Sequence, residues 1–251
     1  MKISILMPTY DCPPELLEKS ISSVFAQTHK DVELIIKDGC LSNSAISKPA
    51  IRDLILGLGL KVTYILSPDG PPPEESGFFR HNGFYQALNE CVNAATGEVL
   101  SLLCSDDERG DSETLAFVND EFERHGNSPF FLYGITEYID LDDKATLTLQ
   151  PHTLPITYES LLKAYTLGTP AFFWNRAVHD KFGLFNYAEC PWSADLEFWL
   201  RCWRGMESKF VPRILGRYRV WGMSQCAENQ ELVSAETARI LEKHGAKMYG
   251  T

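Results

Sequence analysis

Residues Thr96–Asp107, TGEVLSLLCSDD, decide how the chain is read. Val99, Leu100, Leu102, Leu103 and Cys104 form a near-continuous apolar run, the pattern of a strand covered on both faces. Gly97 stands just before it, and Ala94-Ala95-Thr96 reads as the last turn of a helix. Two adjacent carboxylates, Asp106 and Asp107, then fall at or just past the strand's carboxyl end. In an open α/β sheet that edge is where ligands bind. Like charges side by side repel each other, so the pair is either a solvated acidic turn or a place where a cation or several donors neutralise it.

Upstream, strands and helices alternate. Lys2–Met7 reads as a short buried strand closed by Pro8, and Pro13-Pro14 opens a helix where proline's missing N–H costs nothing. Leu17, Ile21, Val24, Phe25 and Thr28 keep a helical period. Val32–Lys37 is a second strand stopping at Asp38-Gly39, Pro49–Leu58 a helix, Lys61–Leu66 a third strand and Gly83–Ala95 a helix. This alternation predicts a mostly parallel sheet with right-handed crossovers. The loop Ser67–Gly77, with three consecutive prolines, reads as an irregular rim or a lid. Asp11, Asp38 and the Asp106-Asp107 pair each follow a buried strand, so all should share one carboxyl edge. One such Asp is usually a cap or turn residue; three on one edge are hard to explain by capping.

Downstream, Asp111 or Ser112 can cap a helix running to about His125, with Glu113 in its first turn. Phe130–Tyr133 is a strand and Thr146–Leu149 one arm of a hairpin. From Pro155 the pattern turns to short mixed elements: helices at Tyr158–Tyr165 and Ala194–Trp203, strands at Ala171–Trp174, Ser208–Val211 and Leu215–Val220. Asn229–His244 is an amphipathic helix. No internal repeat interrupts this order, and no linker marks a second domain.

The composition narrows the function classes. A chain of 251 residues, 44% hydrophobic and 23% charged, is ordinary for a globular protein. At this size roughly 70–75% of the unfolded surface can be buried, so no disulfide or metal staple is needed. A net charge of −11 argues against a nucleic-acid partner, which calls for a basic footprint. One basic run stands out: Arg201, Arg204, Lys209, Arg213, Arg217 and Arg219 accompany a single acid, Glu207. It reads as a solvated basic face, with phosphates or an anionic membrane surface as the alternative. Seven cysteines without a C-x-x-C pair fit reduced thiols and a cytoplasmic location. No stretch approaches the ~18–20 apolar residues that span a bilayer. His81 and His125 lack metal-ligand spacing and read as surface or core residues. The absence of a P-loop and of G-x-G-x-x-G disfavours kinases and dinucleotide-dependent dehydrogenases.

The ordered motifs PTYD, SVFAQT, ELIIKDG, GFYQALN with ATGEVL, SDD and ADLEFWLR resemble the inverting family 2 glycosyltransferases with a GT-A fold. The resemblance covers roughly residues 2–224 and is nearest to bacterial transferases that build surface polysaccharide or lipid-linked glycans. It implies one domain over residues 1–251: a nucleotide-sugar-binding half (1–110), an acceptor-binding half (111–225) and a carboxyl-terminal helix (226–251). It implies further that Thr9, Tyr10 and Asp11 cradle the nucleotide, and that Asp38, with Gly39 beside it, accepts the imino N–H of a uracil-like base. Asp106 would face the ribose and diphosphate, with Gln86 near the diphosphate completing the nucleotide-sugar-binding set, and Asp107 would ligate Mg²⁺ or Mn²⁺. Asp195 aligns with the general base of a single displacement, with Glu197 the competing candidate; residues two apart on a helix cannot both face the site.

The chain departs from the family pattern at three places. Cys40-Leu41-Ser42-Asn43 replaces a Ser-Thr-Asp run, Gln86 stands where relatives have Asp, and Trp221 where they have a histidine that can ligate metal. The expected activity is transfer of a hexose-type sugar from a nucleotide-linked donor, UDP-linked in the first instance, to a glycan or lipid-linked saccharide at the inner face of the membrane, where the Arg213–Arg219 segment would dock. Two alternatives stand beside it. A nucleotidyltransferase would need a glycine-rich, basic amino-terminal loop that PTYDCPPE lacks. An inactive nucleotide-sugar-binding homologue would suit Gln86 and Trp221, but not the retention of Asp106, Asp107 and Asp195.

Overall fold

A computed structural model describes residues 1–39, 49–58, 61–66, 79–149, 155–163, 169–221 and 229–246. The amino-terminal half runs β1 (Ile3–Thr9), α1 (Pro14–Phe25), β2 (Val32–Asp38), α2 (Pro49–Leu58), β3 (Lys61–Leu66), α3 (Phe79–Ala94) and β4 (Val99–Leu102). There follow β5 (Glu108–Arg109), α4 (Thr114–His125), β6 (Phe130–Ile139), β7 (Ala145–Leu149), α5 (Tyr158–Leu161), β8 (Phe172–Asn175), α6 (Ala177–Phe182), α7 (Ala194–Cys202), β9 (Glu207–Arg219) and α8 (Gln230–Lys243). One sheet joins the strands in the order β3-β2-β1-β4-β8-β6-β9-β5, with β7 added to β6. β3, β2, β1 and β4 are mutually parallel, as the alternation predicts. Beyond β4 the sheet is mixed: β8 is antiparallel to β4 and β6, and β9 is parallel to β6.

Period-two side-chain placement splits the core between the sheet's two faces. Ile3, Ile5, Met7, Leu34 and Ile36 pack with Leu17 and Ile21 of α1 and Val118 and Phe122 of α4. Leu6, Ile35, Leu100 and Leu102 pack on the other face with Leu88 and Val92 of α3 and Phe198 and Trp199 of α7. At the sheet's amino edge Glu33, 1% exposed, ties three parallel strands together. It accepts hydrogen bonds from Ser4 Oγ of β1 (2.7 Å), from Thr96 N (2.6 Å) and Gly97 N (3.1 Å) before β4, and from Lys61 Nζ of β3 (3.3 Å).

Several boundaries differ from the sequence reading for definite reasons. β1 continues through Pro8 because β4 pairs with it only as far as Leu6, so proline's missing N–H is not called on there. β4 stops at Leu102, although Leu103 N still donates to Leu6 O at 3.0 Å. α4 begins at Thr114, so Glu113 precedes the helix; Asp111 accepts the Glu113 N–H at 2.9 Å from just outside it. The two strands expected at Ser208–Val211 and Leu215–Val220 are one strand, β9, and Pro212 sits where its register against β6 slips between Tyr133 and Ile135. That slip brings β9 so close that a Cβ on Gly134 would lie 2.6 Å from Leu215 Cγ, which lets β6 extend to Ile139. The helix expected over Tyr158–Tyr165 covers Tyr158–Leu161, its far end lying outside the described residues. α6, only six residues long, escaped the sequence reading because so short a helix shows no period. The loop Ser67–Gly77 and the Cys40–Asn43 run lie outside the described residues.

Candidate active site

Three turns converge at the carboxyl edge of β1, β2 and β4. Thr9 and Asp38 are register partners at the ends of their strands, and Gly39 N donates to Thr9 O at 3.0 Å. Gly39 fits there because a Cβ would come within 3.2 Å of the Tyr10 ring. The chain reverses out of β1 through Asp11, whose φ of 49° lies in the left-handed region that Asp and Asn tolerate better than most residues. Asp38 is buried, while Tyr10 keeps 44% of its surface exposed. Cys12, next in sequence, donates its thiol to Ser105 O at 3.5 Å in the turn after β4. Burial pushes that thiol up to about 12, and the charges of Asp106 and Asp38 add to the effect, so both carboxylates lie within electrostatic reach of one side chain.

The Asp106-Asp107 pair is divided by depth. Asp106 lines a small open pocket of about 50 Å³ with Tyr218, Arg219, Val220 and Trp221. The Trp221 indole N–H donates to Asp106 Oδ2 at 2.7 Å, so this tryptophan holds a carboxylate of the pair. Asp107 has no exposed surface. Its Oδ1 accepts the Arg219 N–H at 2.9 Å, whereas its Oδ2 is buried without a partner. Burial, with the Asp106 charge adding, pushes the Asp107 carboxyl well above the usual carboxylate range; Arg219 and Arg109 pull the other way. Ligand atoms of Cys104, Asp106 and Asp107 lie within 4.8 Å of one another. A buried carboxylate oxygen lacking a donor, beside a second carboxylate, is a donor set that a hard divalent cation satisfies, so these residues fit Mg²⁺ or Mn²⁺. Thr9 Oγ1 is a second buried oxygen without a partner at this edge.

Asp195 stands in the first turn of α7. The Tyr85 hydroxyl donates to its Oδ1 at 2.7 Å and Leu196 N donates to the same atom at 2.8 Å. Asp195 is exposed to solvent, while the protein atoms around its carboxyl partly desolvate it. That desolvation pushes its carboxyl above the ordinary value, with Tyr85 opposing. Tyr85 belongs to the amino-terminal half of α3, which follows β3 and therefore starts from the same carboxyl edge. Glu197 is settled differently. It is 4% exposed and forms a forked pair with Arg201 at 3.0 Å, and Arg201 also donates to Leu184 O at 2.9 Å. Its carboxylate is spoken for, which leaves Asp195 as the acid of this turn with an open side.

Other sequence expectations resolve structurally. Gln86 is exposed on α3, its amide donating to Glu90 Oε1 at 3.4 Å. The basic run is a solvated face only in part: Arg204 and Lys209 are exposed, and most of its cations are paired with acids. Arg213 pairs with Asp111 (2.9 Å), Arg217 with Glu108 and Glu137 (3.1 and 2.9 Å), and Lys209 with Glu121. Arg219, fully buried, meets Glu108 and Asp143, and Arg204 lies 3.8 Å over the Tyr158 ring. All of these cations but Arg204 are held by acids contributed from β5, the β5–α4 turn, α4, β6 and the β6–β7 turn, a match invisible in a window of sequence. His125 stacks on Phe130 at 3.9 Å, a packing role. Cys12, Cys91, Cys104, Cys190 and Cys202 form no disulfide. Among the described residues no helix is long and apolar enough to cross a membrane.

No protein-family model matches the chain. An uncharacterized glycosyltransferase of Nostoc sp. is 37% identical over 108 residues, 43% of this chain and 29% of that protein. An uncharacterized glycosyltransferase of Mycoplasma genitalium is 32% identical over 113 residues, 43% of this chain and 33% of that protein. The chain thus matches about a third of the length of these curated relatives. Among solved structures, residues 1–349 of S. aureus TarS in complex with UDP superpose with a TM-score of 0.68 at 17% identity, over 99% of this chain and 67% of that one. The Pyrobaculum calidifontis mannosyltransferase PcManGT, in complex with GDP-Man and Mn²⁺, superposes with a TM-score of 0.57 at 15% identity, over 97% of this chain and 62% of that one. The fold is therefore the mixed α/β fold of these glycosyltransferases, a mostly parallel sheet flanked by helices.

Proposed function

We propose that the protein is an inverting glycosyltransferase that takes a sugar from a nucleotide-linked donor, UDP-linked in the first instance. The observation that carries this reading is the meeting of the β1, β2 and β4 turns at one sheet edge, with a buried, partnerless Asp107 oxygen beneath Asp106. Similarity to transferases solved with UDP and with GDP-Man and Mn²⁺ supports it. Thr9, Tyr10 and Asp11 form the floor of the nucleotide site, and Asp38 with Gly39 contacts the base. Asp106 faces the ribose and diphosphate. Asp107, with Asp106 beside it, would hold a divalent cation, which when bound would supply charge neutralisation for the departing nucleoside diphosphate. Cys104 is near enough to join that set. Trp221 orients Asp106 through its indole N–H.

Asp195 is the general base. It accepts the proton of an acceptor hydroxyl as that oxygen bonds to the anomeric carbon, while the bond to the diphosphate breaks and its electron pair leaves with the nucleotide. Attack from the face opposite the leaving group inverts the centre. A carboxylate is a weak base toward an alcohol, but the hydroxyl becomes acidic as it bonds to the oxocarbenium-like carbon. Partial loss of water raises the Asp195 carboxyl and so makes it the stronger base. The acceptor, a glycan or lipid-linked saccharide of the cell envelope, rests on the resemblance of the sequence motifs.

Calorimetric titration of UDP with and without Mn²⁺, on the native protein and on Asp107→Asn, tests the donor site. Tight binding that needs the metal and is lost in Asp107→Asn is expected; binding indifferent to both removes the metal role. A screen of nucleotide sugars for turnover on the native protein and Asp195→Asn tests the reaction. Donor binding without turnover of any donor would return the reading to an inactive homologue.

A further inference from the structure

Tyr85 lies on α3, far in sequence from the helix that carries Asp195, yet its hydroxyl sits 2.7 Å from Asp195 Oδ1. The Leu196 N–H reaches the same oxygen at 2.8 Å. Neither bond goes to Oδ2. The phenol cannot follow a rotating carboxylate, because its ring is 7% exposed and wedged between Phe84 and Phe185, with centroids 5.1 and 6.1 Å away. We propose that Tyr85 is a positioning residue for Asp195, holding Oδ1 so that Oδ2 is the oxygen presented to the acceptor hydroxyl. The inference rests on the reading of Asp195 as the base.

A free carboxylate turns easily about its terminal torsion, whose preferences are broad. Two donors on one oxygen fix its plane, and fixed geometry is what a proton transfer needs. Tyr85 also acts on charge. Loss of water raises the Asp195 carboxyl, and a phenol donor favours the ionised form. Glu236 of α8 faces Asp195 as a second acid. It is pinned by the N–H groups of Trp192 and Ser193 at 2.8 and 2.7 Å, which also anchors the start of the base-bearing helix. Tyr85 is thus the side chain that, with the Leu196 and Asp195 N–H groups, opposes the loss of water at this carboxylate and aims it.

The test is Tyr85→Phe, which removes one oxygen and leaves the ring in its cluster. The Asp195 carboxyl carbon is followed by carbon-13 NMR as a function of pH, assigned by the signal missing in Asp195→Asn. The acid limb of kcat is measured alongside with the best nucleotide sugar. Loss of one charge-assisted bond should move the Asp195 titration up by about one pH unit and lower kcat roughly tenfold, with UDP affinity unchanged. The acid limb should move with the titration. An unmoved Asp195 titration overturns the proposal, and Asp195 stands as the base if Asp195→Asn is inactive. A titration that moves while the acid limb stays fixed overturns the base assignment, and Tyr85's catalytic role with it. Uniform fluorotyrosine labelling gives a check without mutation: the more acidic phenol should lower the Asp195 titration, and the same labelling in Tyr85→Phe should not.

Discussion

Replacing Glu33 by glutamine should cost about 3 kcal/mol at neutral pH, and that cost should fade in acid. Burial alone would raise the Glu33 carboxyl, but hydrogen bonds from Ser4, the Thr96 N–H and hydroxyl, and Lys61 more than offset it and hold it at about 2 instead of 4.5. With 1.36 kcal/mol per pH unit, that difference is worth about 3 kcal/mol once the group is ionised in both folded and unfolded chains. The sign follows from the depressed folded value. The stabilisation is complete above the unfolded value of 4.5 and is lost as pH falls through 2. At pH 3 the same linkage leaves about 1.4 kcal/mol, under half. Glutamine fits the space but offers a weaker acceptor, and its amide N–H₂ would face the Thr96 and Gly97 donors. Urea unfolding followed by tryptophan fluorescence reads the effect. With a slope of about 3 kcal/mol/M, the midpoint of Glu33→Gln should lie roughly 1 M below the parent at pH 7, and the gap should shrink by half at pH 3. A gap of equal size at both pH values would show that packing, and not the ionised carboxylate, joins the strands.

Asp195→Asn should lower turnover by about 10²–10⁴-fold at saturating donor, while raising the thermal midpoint at pH 7. The gain should vanish near pH 3, since a carboxyl raised in the folded state weakens the fold only as pH climbs past its unfolded value; scanning calorimetry at the two pH values checks this. Arg219→Met would remove one of two cations from Glu108 and from Asp143, which keep Arg217 and Lys19 (3.1 and 2.8 Å), together with the guanidinium bond to Asp140 O at 2.7 Å; a loss of about 1–3 kcal/mol in chemical unfolding is expected. Trp221→Phe keeps an aromatic ring but deletes the 2.7 Å bond to Asp106. UDP affinity measured by calorimetry should fall several-fold with stability unchanged, and an unaltered affinity would leave Trp221 as packing alone.

How much of this was legible in sequence varies by residue. Asp11, Asp38 and Asp106-Asp107 were placed on one edge from strand order alone, and the parallel register of β2, β1 and β4 bears that out. The choice between Asp195 and Glu197 was open in sequence, because helical spacing shows only that the two point to different sides. What separates the two in the structure is Arg201, one helical turn after Glu197 and paired with it, an i,i+4 signal present in the sequence. Tyr85 gave no such signal: 110 residues separate it from its partner. The basic run misled in part for the same reason, since the acids that answer it arrive from other elements.

By itself the sequence determined what depends on near neighbours: alternating elements, the buried apolar strands, and carboxylates placed where those strands end. Periodicity and turn chemistry act over a few residues, so they survive in one dimension. Only the tertiary structure decided depth and partnership. It buried Asp107 under Asp106, gave Asp106 to Trp221, closed Glu197 onto Arg201 and set Tyr85 against Asp195. Each of these is a contact whose energy depends on water excluded and on donors brought across the sheet, and neither quantity exists until the chain has folded.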